Sequence, residues 1–169
     1  GVTLTVSDAR TIAVLTVGKS GGSGATLTVS SSGSLTVSGQ YGFAGTSPVI
    51  NNNGTFACGG GAAFSTGAFN NNRPATSSGN AQAFNGTIAV TQGANATLNL
   101  TAANSTPFGG TCTLSAGASG NTVSYTTGQN MKGATYYNLS VSGTGPSAGS
   151  GTTVNGTLTI ALNSGQQVN

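Results

Sequence analysis

Apolar and polar residues alternate with a period of two in short stretches along most of the chain, and two stretches near the C-terminus share one phase. Leu139 and Val141 alternate with Asn138, Ser140 and Ser142, and Leu158 and Ile160 alternate with Thr157 and Thr159. Successive side chains of an extended strand point to opposite faces, so each stretch predicts a half-buried strand with its aliphatic residues inward. Leu139 and Leu158 are 19 residues apart, as are Val141 and Ile160. That lag accommodates a strand, a corner and a return one layer up, which predicts a coil stacked on itself rather than two packed sheets.

The alternation also opens the chain, with Val2, Leu4 and Val6 set against Thr3, Thr5 and Ser7. A bend is expected at Asp8-Ala9-Arg10 and a strand at Leu15-Thr16-Val17. After a Gly/Ser corner over 20–24 come strands carrying Leu27/Val29 and Leu35/Val37. Leu15 and Leu35 are 20 residues apart, close to the C-terminal lag. The period is lost from Tyr41 to Pro48 and in the small, polar segment from Ala75 to Ala83, and both read as loops. Ile88/Val90 and Leu98/Leu100 predict two further strands around a Gln92-Gly93 turn, and Pro107 to Gly110 breaks the pattern before Cys112-Thr113-Leu114. No window carries a sustained 3.6-residue stripe, so essentially no helix is expected. Two triplets, Asn51-Asn52-Asn53 and Asn70-Asn71-Asn72, start 19 residues apart. In a coil of that period they would stack, each side-chain amide bonding the next along the axis; taken singly they are two polar turns. Phe56, Phe64, Phe69 and Phe84 are expected to fill the interior, because aromatic rings dominate core burial.

These residues also carry a resemblance. Asn121-Thr122-Val123-Ser124-Tyr125, Tyr136-Tyr137-Asn138-Leu139 and Val154-Asn155-Gly156-Thr157-Leu158-Thr159 resemble the degenerate repeats of large bacterial surface proteins of the adhesin-type parallel β-helix kind. Leu15-Thr16-Val17 and the stretches 24–29 and 33–37 are similar in style, so the likeness covers roughly the first 60 and the last 50 residues. It implies an extracellular, cell-surface location and a structural role. The expected architecture is a single all-β domain over residues 1–169, a parallel β-solenoid (β-helix) of about eight layers at about 20 residues per layer. The alternative is an immunoglobulin-like or pilin-like β-sandwich in which residues 1–17 form a donor strand completing a neighbour's sheet.

Composition narrows the function. Asp8, Arg10, Lys19, Arg73 and Lys132 are the only charged residues, 3% of the chain, against about a quarter in ordinary soluble proteins. Four scattered cations make no patch able to neutralise several phosphates, so no nucleic-acid partner is expected despite the net charge of +3. No apolar run approaches the roughly 20 residues of a membrane-spanning helix. With no His and one acid, Asp8, the chain lacks the paired groups of general acid/base catalysis and the ligand sets of common metal sites. It is expected not to be an enzyme and to need no cofactor.

Cys58 and Cys112, the only thiols, are expected to form one disulfide in an oxidising compartment, closing a loop of about 55 residues and contributing roughly 4 kcal/mol. The alternative is two separate buried thiols acting as small apolar residues. Seven Asn-x-Ser/Thr sequons, at Asn53, Asn85, Asn95, Asn99, Asn104, Asn138 and Asn155, are candidate acceptors for covalent glycans.

The functional expectation is a filament subunit, pilus-like or part of a fibrous adhesin, joined head to tail to copies of itself. The joint would be made by Val2, Leu4 and Val6 at one end and Leu158, Ile160 and Leu162 at the other, which read like interior layers without a cap. The alternative is a surface-binding module for ice or glycans, presenting the Thr3/Thr5, Thr26/Thr28 and Thr157/Thr159 hydroxyls.

Overall fold

A computed structural model describes residues 1–18, 21–22, 24–59, 64–78, 83–101, 106–165 and 167–168. Among them there is no helix, and every strand pair is parallel. The first coil is β1 (Thr3–Val6), β2 (Ala9–Ile12) and β3 (Leu15–Gly18), and the second repeats it with β4 (Thr26–Val29), β5 (Ser34–Val37) and β6 (Tyr41–Ala44). Next come β7 (Val49–Asn52) and β8 (Thr55–Cys58), then β9 (Ala68–Asn71), β10 (Ala75–Ser77) and β11 (Phe84–Asn85). β12 (Ala89–Gln92), β13 (Thr97–Leu100) and β14 (Phe108–Gly109) follow, and then β15 (Thr113–Ser115) and β16 (Thr122–Tyr125). The last strands are β17 (Thr135–Tyr136), β18 (Asn138–Gly143), β19 (Thr153–Val154) and β20 (Leu158–Leu162).

These strands stack into a three-sided parallel β-solenoid. One face is the six-stranded sheet β1-β4-β7-β9-β12-β15; a second is the eight-stranded sheet β2-β5-β8-β10-β13-β16-β18-β20. The short pairs β3-β6 and β11-β14 lie on the remaining side, and the pair β17-β19 is reached from β15 through a bridge between Ala116 and Tyr136. The solenoid has about six turns carrying both faces, fewer than the eight layers expected, although the second face alone runs to eight strands, about 34 Å at the usual strand spacing.

The period-two pattern decides what lies inside. Leu27, Ile50, Phe69, Val90 and Leu114 occupy one column of the first face. Leu35, Phe56, Ala75, Leu98, Val123 and Leu139 occupy one of the second. All but the half-buried Leu114 are buried, each aliphatic or aromatic side chain contributing roughly 1.5–3 kcal/mol. The four phenylalanines are core, and they belong to a longer axial run of rings. Ring centroids lie 4.6 Å apart for Tyr41–Phe64, 6.0 Å for Phe64–Phe84, 5.3 Å for Phe84–Phe108 and 6.4 Å for both Phe108–Tyr125 and Tyr125–Tyr136.

Several expectations are corrected. Residues 1–17 are not a free donor strand: β1, β2 and β3 pair with β4, β5 and β6 of the same chain. The bend expected at Asp8 to Arg10 contains the start of β2, and the three supposed breaks contain β6, β10 and β14; residues 79–82 of the second lie outside the described residues. Leu15 pairs with Tyr41, and Leu35 with Arg10, so Leu15 and Leu35 do not stack. The reason is that the interval between stacked residues varies, from 16 for Thr122 and Asn138 to 26 for Leu15 and Tyr41. Corner loops change length while strand registry is kept. Where a corner passes very close to the layer before it, glycine is required: at Gly67 (φ +83°) a Cβ would fall 1.9 Å from the Pro48 carbonyl oxygen.

Candidate functional site: the open ends and the amide corner

Among the described residues the end strands β1, β2 and β20 each have a sheet neighbour on one side only, leaving a row of backbone N–H and C=O groups without strand partners. At the N-terminal end the inward side chains of β1 and β2 and the layer behind them border a hollow of about 380 Å³, lined by Leu4, Val6, Ile12, Leu15, Leu27 and Leu35. At the C-terminal end a hollow of about 330 Å³ is lined by Met131, Leu139, Val141, Val154, Leu158 and Ile160. The expected joint residues therefore divide. Val2, Leu4, Leu158 and Ile160 are at least half exposed, Leu162 is half-buried against the core, and Val6 is already buried.

The N-terminal end also carries a charged pair. Arg10 stands in the inward column that continues through Leu35 and Phe56, and its guanidinium forks onto Asp8, Nε donating to Oδ1 at 2.8 Å and a terminal nitrogen to Oδ2 at 2.6 Å. Both side chains are more than half exposed, so the pair adds little stability, about 0–1 kcal/mol. An inward-directed charge at a sheet edge nevertheless distinguishes this end from the opposite one, whose lining holds no charged residue.

The corner between the first and second faces holds the two asparagine triplets, and here the expected stacking is present. Asn70 Nδ2 donates to Asn51 Oδ1 at 2.9 Å on the outer side, Asn52 Nδ2 to Asn71 Oδ1 at 2.7 Å inside, and Asn72 Nδ2 to Asn53 Oδ1 at 2.8 Å in the turn. The inner column extends one layer further than the triplets suggest, because Asn71 Nδ2 donates to Gln92 Oε1 at 2.9 Å. The same two Nδ2 groups also reach backbone carbonyls across the corner, Asn52 to Pro74 and Asn71 to Thr97. Gln92 was legible only as a turn residue, because its neighbours in sequence are not amides.

Cys58 and Cys112 do not form the expected disulfide; both are free, buried thiols. Cys58 ends β8, whereas Cys112 follows β14 two layers on, an axial offset of about 10 Å that exceeds disulfide reach. Burial pushes the Cys58 thiol up to about 11, with the Ser77 and Tyr41 hydroxyls opposing this only in part. Burial raises Cys112 as well, against a weaker pull from Lys132.

The threonine pairs do not form one ladder. Thr3 and Thr5 stack on Thr26 and Thr28, but Val49 and Asn51 come next, and Thr159 belongs to the other face, opposite Ser140. Among the sequons, Asn85, Asn95 and Asn155 are exposed, Asn53, Asn99 and Asn138 are half-buried, and Asn104 lies outside the described residues. The Asn138 side chain is already engaged, its Oδ1 accepting from the Thr157 N–H at 2.9 Å. Among the described residues no three His, Cys, Asp or Glu side chains gather to hold a metal ion, and no helix is long and apolar enough to cross a membrane.

Comparison of the chain with protein-family models, with curated proteins and with solved structures gives no match.

Proposed function

We propose that this chain is a structural subunit of an extracellular filament, pilus-like or part of a fibrous adhesin, that assembles head to tail through the ends of its solenoid. The observation that carries this is the pair of hollows of similar size at opposite ends, both floored by aliphatic side chains and the N-terminal one also bordered by Asp8 and Arg10, each beside a strand with a free edge. Continuing the second face across a joint sets β2 of one copy on β20 of the next. Carrying the columns through places Ile12 over Ile160 and Arg10 over Leu158. Arg10 meets that apolar surface already neutralised by Asp8, which lowers the cost of covering it. Two unlike ends that fit each other make a heterologous contact, and one that does not close gives an open fibre. The outer surface relies on Ser, Thr and Asn for its polarity, which suits a surface protein whose exposed sequons accept glycans.

The test is light scattering and electron microscopy of the purified chain across concentration. Unmodified protein should form fibres, and Leu158→Asp, at a position already half exposed, should keep the fold and yield monomers or short oligomers. Unmodified protein that stays monomeric at high concentration would sink the proposal.

A further inference from the structure

Independently of the ends, we propose that the outer corner between the first two faces is a binding groove for an anionic saccharide, with Arg73 as its charge-reading residue. The groove encloses about 350 Å³ and is lined by Ser31, Asn53, Asn72, Arg73, Ala94 and Asn95. These residues come from four successive corners, between β4 and β5, β7 and β8, β9 and β10, and β12 and β13. The groove therefore runs along the axis for three strand spacings, about 14 Å, a length that suits a short oligosaccharide better than a single ion.

Its chemistry selects the ligand. The only carboxylate side chain, Asp8, is held by Arg10 in the first coil. Arg73 is exposed and has no ion-pair partner among the described residues. A guanidinium presents a planar fork of donors that matches a carboxylate or sulfate with two parallel hydrogen bonds. Around it, Asn53, Asn72, Asn95 and Ser31 supply the mixed donors and acceptors that sugar hydroxyls require. The lining holds no aromatic ring on which a neutral sugar could stack, so the charge has to provide the selectivity.

The mounting is rigid. Asn72 donates its backbone N–H to the Asn52 carbonyl at 2.8 Å and its side-chain amide to Asn53. Pro74, on the other side of Arg73, has a fixed φ and a carbonyl held by Asn52. A polar group built on a preorganised corner loses less entropy on binding than one on a free loop.

The experiment is an NMR titration of the full chain, made in a bacterium that does not N-glycosylate because Asn53 and Asn95 are themselves sequons. The probes are a galacturonic acid trimer, a sulfated trimer of similar length and neutral maltotriose. At least one anionic probe should shift the backbone amides of Asn53, Asn72 and Asn95, maltotriose should not, and added salt should weaken binding. Arg73→Ala should reduce affinity about tenfold, as expected for one charge-assisted contact, and leave the thermal midpoint unchanged; Arg73→Lys should fall between. The anionic arm that binds identifies carboxylate or sulfate as the ligand group. Equal binding of maltotriose, no shifts with either anion, shifts confined to other surfaces, or full affinity in Arg73→Ala would each overturn the proposal.

Discussion

Asn52 and Asn71, 19 residues apart in sequence, meet side chain to side chain in the buried corner of the solenoid, with Asn52 Nδ2 2.7 Å from Asn71 Oδ1. Asn71 in turn supports Gln92 and the Thr97 carbonyl, so one fully buried amide serves three partners. Replacing Asn71 with Leu should therefore leave a donor on Asn52 and an acceptor on Gln92 without their partner. Since each orphaned buried polar group costs about 1–3 kcal/mol, the expected destabilisation is about 2–5 kcal/mol in urea or guanidinium unfolding. Asn70→Leu, on the outer side of the same strand, should cost under about 1 kcal/mol. Equal losses at both positions would show that the inner ladder has no special weight.

The separation of Cys58 and Cys112 by two layers leads to a second expectation. Native protein should carry two reduced thiols that resist a thiol-specific reagent, because both are buried and burial disfavours the reactive thiolate of each. Both should react after unfolding, and reductant should leave the unfolding midpoint unchanged. An intact mass lower by two hydrogens under non-reducing conditions would contradict the structure.

Stability should respond to alkali. Burial raises Tyr41 and Tyr125 well above the ordinary tyrosine range and pushes Tyr136 up to about 12 and Cys58 up to about 11. In each case the native state holds the proton more tightly than the unfolded chain, so stability is full below the unfolded values, about 8.5 for Cys and 10 for Tyr, and falls as pH rises above them. Cys58 would withdraw about 3 kcal/mol in all as pH rises from its unfolded to its folded value, and Tyr136 lowers stability in the same direction. Melting temperature should stay nearly level from about pH 3 to pH 8.5 and drop steeply above about pH 10. The acid side contains one carboxylate side chain, Asp8, in an exposed pair. A pronounced acid limb, or a flat profile through pH 11, would refute this account.

Most of the strands and the inward columns were legible in the sequence because they follow from local alternation, and the coil was legible because the 19-residue lag repeats. Val141 and Ile160 stack at the lag their spacing indicates, as do the asparagine triplets. Layer-to-layer registry elsewhere was not legible, since it depends on corner lengths that vary while the strands hold their phase; hence Leu15 meets Tyr41 rather than Leu35. Short strands such as β6, β10 and β14 were hidden for a related reason. Tyr41–Ala44, Ala75–Ser77 and Phe108–Gly109 are too small or too irregular to show a period, and they are extended because the layers on either side offer a template of backbone hydrogen bonds. Tertiary structure alone determined that Gln92 completes the amide column, that the two thiols lie apart, and that Arg73 projects into a groove assembled from four corners. Each of these relationships joins residues about 20 or more positions apart, and only the winding of the chain brings such residues within reach of one another.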